Sequence, residues 1–397
     1  MTALKLTKTE QGLLAALPDG ALAQALQTKG LPNRRVEGWR WSDLRAALRD
    51  EKPLTKAYDG ALPPEVLPVR DAVALVFANG VLHVSGALPD GVVLEQERST
   101  ASAESRLPAG LAESLAVQKN ILRITKPVKE KIYLRFVANG SGAIHTNLHM
   151  ALSQGASVHL VESYESENDP FINGVISFDL AKESRLTRSI FQPEAVKAIM
   201  VQNSFVKMAA RAHYNQTLIG FGGAYTRFET RIDGQGNDLN INLATAYLLS
   251  GKNHFDSSSE IIHRGLHGAT EQLTKGIVRD QARAVFQGKF YVARGAQKTA
   301  ANMQHKALML SDTSEVDAKP ELEIYADDVE CAHGNSVGAL DPALIFYMRQ
   351  RGLRENQARA MLIAAFLSEV LEQISDTALR GEFTDKVTGF MEGGHAF

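Results

Sequence analysis

Cysteine is nearly absent from this sequence: Cys331 is the only one in 397 residues, which excludes an intrachain disulfide framework and fits a reducing compartment. Charge imbalance is absent too. With 43 Lys and Arg against 45 Asp and Glu, net −2, neither a general basic surface for nucleic acid nor an acidic disordered tail is in prospect. No window approaches eighteen apolar residues, and the N-terminal MTALKLTKTEQGLLAALPDG holds no apolar run of signal-peptide quality. The expectation is a soluble cytoplasmic protein with no membrane and no nucleic-acid partner. Catalytic signatures are missing as well. There is no GxxxxGKS/T phosphate loop and no GxSxG elbow, Gly220-Phe221-Gly222-Gly223 lacks the helix of a dinucleotide turn, and no carboxylate pair can be singled out as a glycosidase dyad.

What is present changes texture twice along the chain. Residues 2 to about 50 read as helices, with Leu13, Leu14 and Leu17 before a Pro18-Asp19-Gly20 break and Leu22, Ala25 and Leu26 after it. Both tryptophans, Trp39 and Trp41, sit in RRVEGWRWSDL, where two large rings are better suited to anchoring a helical cap than to forming a ligand platform. A proline-bearing run from Glu51 to Pro68 reads as a linker. From Asp71 the chain breaks into short alternating segments, the first two joined at a hairpin-like Asn79-Gly80. In IHTNLHMAL, Ile144, Thr146, Leu148, Met150 and Leu152 take one side of a strand, leaving His145, Asn147 and His149 as an exposed row on the other.

A weak repeat follows, with starts near Gly155, Glu183, Ala210 and Gly236, at gaps of 28, 27 and 26 residues. Rungs of a solenoid have such a spacing, whereas a sandwich shows turn signals every 8 to 12 residues or so and a doubly wound sheet needs intervening helices. The expected fold is mainly β: a parallel β-helix core, with a sandwich or jelly roll as second choice. Farther on, His263 and His267 have zinc-ligand spacing without the glutamate or the helix of a zinc-protease signature, and read as turn-facing. Gln297, Lys298, Thr299 and Gln304 read as a polar ladder between rungs.

The last section joins strand to helix. Cys331 and His333 stand just after Asp327 and Asp328, a donor set of the kind that holds metal. Helices are expected directly after His333-Gly334. Asp341-Pro342 is a helix start, Gly352 a stop, and the run Leu344 to Met348 is apolar on all sides, so that one side meets its own domain and the others are left for a partner chain. A final long helix is expected over Glu355–Ile374, with Ile363, Phe366, Leu367, Val370, Leu371 and Ile374 as its buried stripe and Ala358, Met361, Leu362 and Ala365 opposite.

Taken together, KGIVRDQARAVFQGKFYV, AQKTAANMQHKALML, ELEIYADDVECAHGNSVGALDPALIFYMRQRG and ARAMLIAAF resemble the SufB/SufD family of the SUF iron-sulfur cluster assembly machinery in order and spacing. The resemblance implies a right-handed parallel β-helix core (residues 69–333) between an N-terminal helical region with its linker (1–68) and a C-terminal helical region (334–397). It also implies a noncatalytic scaffold whose β-helix pairs with SufB and whose C-terminal helices dock the ATPase SufC, where ATP hydrolysis is expected. Within the resemblance the chain looks like SufD rather than SufB, because SufB-like chains are longer and carry several cysteines where this one has a single cysteine; a scaffold holding a whole cluster alone would need about four thiolates or equivalents. No cofactor is then held stably by the chain alone, and a transient iron or iron-sulfur cluster sits at the SufB interface. His333, in the family's C-x-H-G stretch, and less strongly Cys331, are the implied interface residues. Leu340, Asp341, Leu344, Phe346, Tyr347, Arg351, Met361, Leu362 and Phe366 are the implied partner-binding residues. Asn335 stands where the family commonly has alanine, with no obvious chemical consequence. Two alternatives remain open: a β-helix enzyme acting on polysaccharide, of a kind more usually secreted, and a stand-alone metal-binding homodimer.

Overall fold

Ser157 pairs with Arg185, Arg185 with His213 and His213 with Asn240, each in a parallel ladder, so the weak sequence repeat is the rung period of a solenoid. A computed structural model describes residues 4–56, 58, 60–101 and 106–392. The N-terminal region supplies α1 (Lys8–Ala16), α2 (Ala21–Lys29), a 3-10 turn at Glu37–Trp39 and α3 (Leu44–Ala47). Strands begin with β1 (Ala72–Ala78), β2 (Val81–Val84) and β3 (Val92–Glu97), pause for α4 (Leu107–Leu115), and resume as β4 (Lys119–Ile124), β5 (Lys131–Ala138) and β6 (Ala143–Leu152). Then come β7 (Ser157–Ser166), β8 (Phe171–Leu180), β9 (Arg185–Gln192), β10 (Ala195–Met208), β11 (His213–Gly220), β12 (Gly223–Gly234) and β13 (Asn240–Leu249). The solenoid finishes with β14 (His254–His263), β15 (Ala269–Val278), β16 (Arg283–Val292), β17 (Ala300–Met309), β18 (Glu315–Ile324) and β19 (Glu330–Gly338), followed by α5 (Pro342–Gln350), α6 (Glu355–Leu371) and α7 (Thr377–Glu392).

Successive strands alternate between two sheets, ordered β19-β17-β15-β13-β11-β9-β7-β5-β1-β2 and β18-β16-β14-β12-β10-β8-β6-β4-β3. Among the described residues only the first members, β1 with β2 and β3 with β4, pair antiparallel. The β1–β2 hairpin turns at Asn79 and Gly80, φ 46° and 85°, which is the left-handed pair that a two-residue hairpin needs. At one edge of the solenoid the turns run through Gly155, Glu183, Arg211, Asp238, His267 and Lys298, all at φ between 57° and 69°. Their N–H groups donate along the stack, Glu183 to Ala210 O and Arg211 to Asn237 O at 3.0 and 2.8 Å. The repeat starts read from sequence fall on this column of turns.

Between the sheets lies one apolar core. Phe77, Phe136 and Tyr164, opposite each other in β1, β5 and β7, stack at 4.9 and 4.7 Å, the spacing of neighbouring strands. The outer faces are covered as well. The N-terminal helices bring Leu13, Leu26, Trp39 and Leu44 against Phe171, Val201 and Tyr225 on the nine-stranded sheet. Trp39 is the cap anchor expected, with the Arg227 guanidinium 4.1 Å from its ring centroid; Trp41 is half-buried. On the ten-stranded sheet Ile363, Leu367, Val370 and Leu371 of α6 and Leu379, Phe383, Val387 and Met391 of α7 cover Tyr133, Val161, Phe191 and Ile219. The linker lies on the solenoid, bridging at Leu54 to Ala143 and burying Leu67 on the opposite face.

Four expectations change. His145 and Asn147 are buried, not an exposed row, because α4 lies over that face and Asn173 beside them donates to Pro108 O at 2.8 Å; His149 is half-buried. Of the expected turn-facing pair, His267 is in a turn but His263 ends β14 in the interior, 2.9 Å from Thr270 Oγ1. Of the expected ladder, Gln297 and Lys298 do reach the next rung, Gln297 Oε1 accepting from Asp328 N and Lys298 pairing with the Asp328 carboxylate, whereas Thr299 turns back to donate to Ala296 O in its own turn. The strand pattern also continues past His333-Gly334 to Gly338, since the odd-numbered residues of β19 still match the buried side of β17. The helices α4 and α7, unread in the sequence, complete the outer layers; the expected C-terminal region's residues 393–397 lie outside the described residues.

Candidate functional site at the open end of the solenoid

The two ends of the solenoid differ. The first end is finished by β2, four residues long, and β3, six residues long, turned antiparallel. The other end is bounded by β18 and β19, ten and nine residues long, each last in its sheet. Edge strands this long present rows of unpaired N–H and C=O groups, a template for another chain.

The register decides what that end displays. Cys331, His333, Asn335 and Val337 stand opposite Ala301, Met303, His305 and Ala307, all four of which are buried. These four side chains therefore point to the inner side of the last rung, where there is no further rung above them. His333 and Asn335 are exposed and Cys331 is half-buried, packed against the small cluster of Val292, Ala296 and Ala326. Burial pushes the Cys331 thiol upward from its ordinary value, a tendency only partly offset by the Ala301 N–H. It stays a thiol at neutral pH, which makes it a poor nucleophile and a poor ligand until something displaces its proton.

The carboxylates expected beside them are elsewhere. Asp328 lies in the preceding turn and pairs with Lys298, and among the described residues no group of three or more His, Cys, Asp or Glu side chains is placed to hold a metal ion. The geometric reason is simple: Asp327 and Asp328 sit at the corner of the rung, and only from Glu330 does strand alternation set the side-chain directions.

Beyond the last strand, Asp341 caps α5 by accepting from Ala343 N at 2.8 Å, with Pro342 at the first helical position. Ile345 turns into the protein while Leu344, Phe346 and Tyr347 are 49%, 64% and 57% exposed. Arg351 stacks its guanidinium 5.3 Å from the Tyr347 ring centroid, which pre-orients both. On α6, Met361 is exposed and Leu362 half-buried. Leu340 and Phe366 instead pack against the cluster under α6 and α7, and Lys275, 4.9 Å from the Phe366 ring, also donates to Phe366 O. Of the residues expected to bind a partner, these two hold the helices to the solenoid.

Sequence comparisons agree with this architecture. Residues 136–366, more than half of the chain, match the family model described as SUF system FeS cluster assembly, SufBD core domain. The iron-sulfur cluster assembly protein SufD of Escherichia coli (strain K12) is 29% identical over 396 residues, covering 94% of this chain and 92% of that protein. A SufBD family protein of Synechocystis sp. is 27% identical over 420 residues (96% and 92%), and SufD of Bacillus subtilis (strain 168) 25% identical over 332 residues (82% and 74%). The chain belongs to the SufBD family of iron-sulfur cluster assembly proteins, and within it is most like SufD.

Proposed function

We propose that this chain is the noncatalytic SufD-type subunit of a SUF complex, pairing the open end of its solenoid with the corresponding end of a SufB-type chain. The observation that carries the reading is the asymmetry of the two ends, one closed by short antiparallel strands and one left as two full-length parallel edges. A solenoid end without a cap is a liability for solubility unless a partner covers it. Pairing there brings His333, and beside it Cys331, to a joint surface where ligands from both chains surround iron or a nascent cluster, the cargo of the complex. His333 serves as a ligand or proton acceptor. Cys331, a packed thiol, is secondary.

The exposed apolar side chains of α5 and α6 fit the docking of a SufC-type ATPase, which supplies the ATP hydrolysis. Nucleotide-driven movement of that subunit, carried through α5 and α6, shifts the population of open and closed joint surfaces.

The test is co-purification of the untagged chain with tagged SufB- and SufC-type subunits from the same source, followed by anaerobic reconstitution. Complex should form with wild type and with His333→Ala alike, and the variant should lose most of its bound iron and sulfide. Failure of the wild-type chain to enter any complex, or a homodimer that excludes the SufB-type chain, would sink the reading.

A further inference from the structure

Behind Asn335 runs a buried hydrogen-bonded chain. His305 in β17 is completely buried. Its Nδ1 is 2.7 Å from Asn335 Oδ1 and its Nε2 2.8 Å from Tyr247 Oη, while its ring stacks on Phe286 at 4.7 Å. Tyr247 belongs to β13, so its phenol reaches across the whole of β15 to meet His305. Gly276 makes this possible: it stands opposite Tyr247 in β15, and a Cβ there would lie 1.9 Å from the Tyr247 ring. The sequence spaces these groups by 58 and 30 residues, and only the register assembles them.

The chain has one favourable direction. Burial lowers the basicity of His305, an effect only partly offset by its bond to Asn335, so the imidazole carries a single N–H. Burial likewise keeps the Tyr247 phenol protonated. If Tyr247 donates to Nε2, Nδ1–H donates to Asn335 Oδ1 and every group is satisfied. With the opposite polarity the Tyr247 proton finds no acceptor among the described residues, and a buried hydroxyl proton left unbonded is costly. The side-chain oxygen of Asn335 is therefore turned inward to the imidazole, and its amide NH2 faces the open end on the same side as His333, two residues or roughly 7 Å along the strand.

We infer that Tyr247 and His305 are positioning residues that present the Asn335 amide as a hydrogen-bond donor to an anionic sulfur of the cluster assembled at the open end. This assignment rests on the proposed SufD-type role of that end. The position that looks chemically idle in the sequence thus carries a polarity imposed from within the solenoid. Alanine there supplies no donor, so this chain would hold its cargo with one more N–H to sulfur than a chain with alanine at that position. Hydrogen bonds to cluster sulfurs stabilise the more negatively charged reduced form and raise the potential.

Two measurements test it. In the full-length chain labelled with 15N-histidine, the His305 signals, assigned by their loss in His305→Gln, should report the Nδ1–H tautomer, and Tyr247→Phe should abolish that preference. In the reconstituted complex, Asn335→Ala should keep its cluster content but show a lower reduction potential than wild type. Tyr247→Phe should shift the potential in the same direction by less. The Nε2–H tautomer overturns the relay, and an unchanged potential in Asn335→Ala with the cluster bound overturns the donor role. A wild-type complex that takes up no cluster overturns the underlying site reading and this ligand assignment with it, while the tautomer still distinguishes a failed relay from a failed site.

Discussion

Arg188→Met is expected to destabilise the solenoid by about 3–5 kcal/mol, because it strands a buried carboxylate. Arg188 and Glu162 are both buried in the core between the sheets, on the neighbouring paired strands β9 and β7. The guanidinium donates from Nη2 to Glu162 Oε2 at 2.8 Å and from Nη1 to Ser204 Oγ and Gln216 Oε1 at 2.8 and 2.9 Å, while Tyr164 donates to Glu162 Oε2 at 2.7 Å. Removing the cation leaves these acceptors facing one another in a low-dielectric interior. Replacing both partners is a different matter, since a buried pair often gives way to packed apolar groups at little cost. Arg188→Met with Glu162→Leu should therefore recover much of the loss. Urea titration with strand-resolved hydrogen exchange over β7, β9 and β11 reads both. A single variant that loses under about 1 kcal/mol, or a double variant no better than the single, contradicts the assignment.

Capture of the ATPase subunit should fall by at least about a hundredfold in Phe346→Glu with Tyr347→Glu. Two central apolar anchors cost some 2 kcal/mol or more each when lost from an interface, and a charge in their place adds desolvation. Both side chains are more than half exposed, so the thermal stability of the chain and its pairing with a SufB-type subunit should be unchanged. Leu340→Ala and Phe366→Ala form the contrast: these side chains pack against the solenoid, and their loss should loosen α6 before it weakens capture. A titration of the tagged ATPase subunit against each variant separates the two classes, and undiminished binding by the double Glu variant moves the docking surface elsewhere.

The fold was legible where local chemistry and rung period agree. Asn79-Gly80, Asp341-Pro342 and the column of turns from Gly155 onward are each set by backbone demands that a few residues reveal. The stripe of α6 was equally plain. α4 was not, because LPAGLAESL is nine residues long with a glycine inside it, and its burial comes from the β-helix face it covers. α7 did carry a signal, Leu379, Phe383, Val387 and Met391 at four-residue spacing, diluted by Gly381 and Gly389. His145 and Asn147 read as solvent-facing because strand parity distinguishes only two sides, and cannot tell that a helix will cover the outer one. At the site, the resemblance pointed to His333 and Cys331, but neither pattern nor spacing could assemble Tyr247, His305 and Asn335 from three separate strands, or separate Leu340 and Phe366 from the apolar residues that face outward.

The most direct measurement is hydrogen exchange of the chain alone and bound to a SufB-type subunit. The outward N–H groups of β18 and β19 should exchange freely in the isolated chain and become protected in the complex, with β8 to β12 unchanged. Protection confined to α5 and α6, with the two end strands exchanging as fast as before, would contradict pairing through the open end.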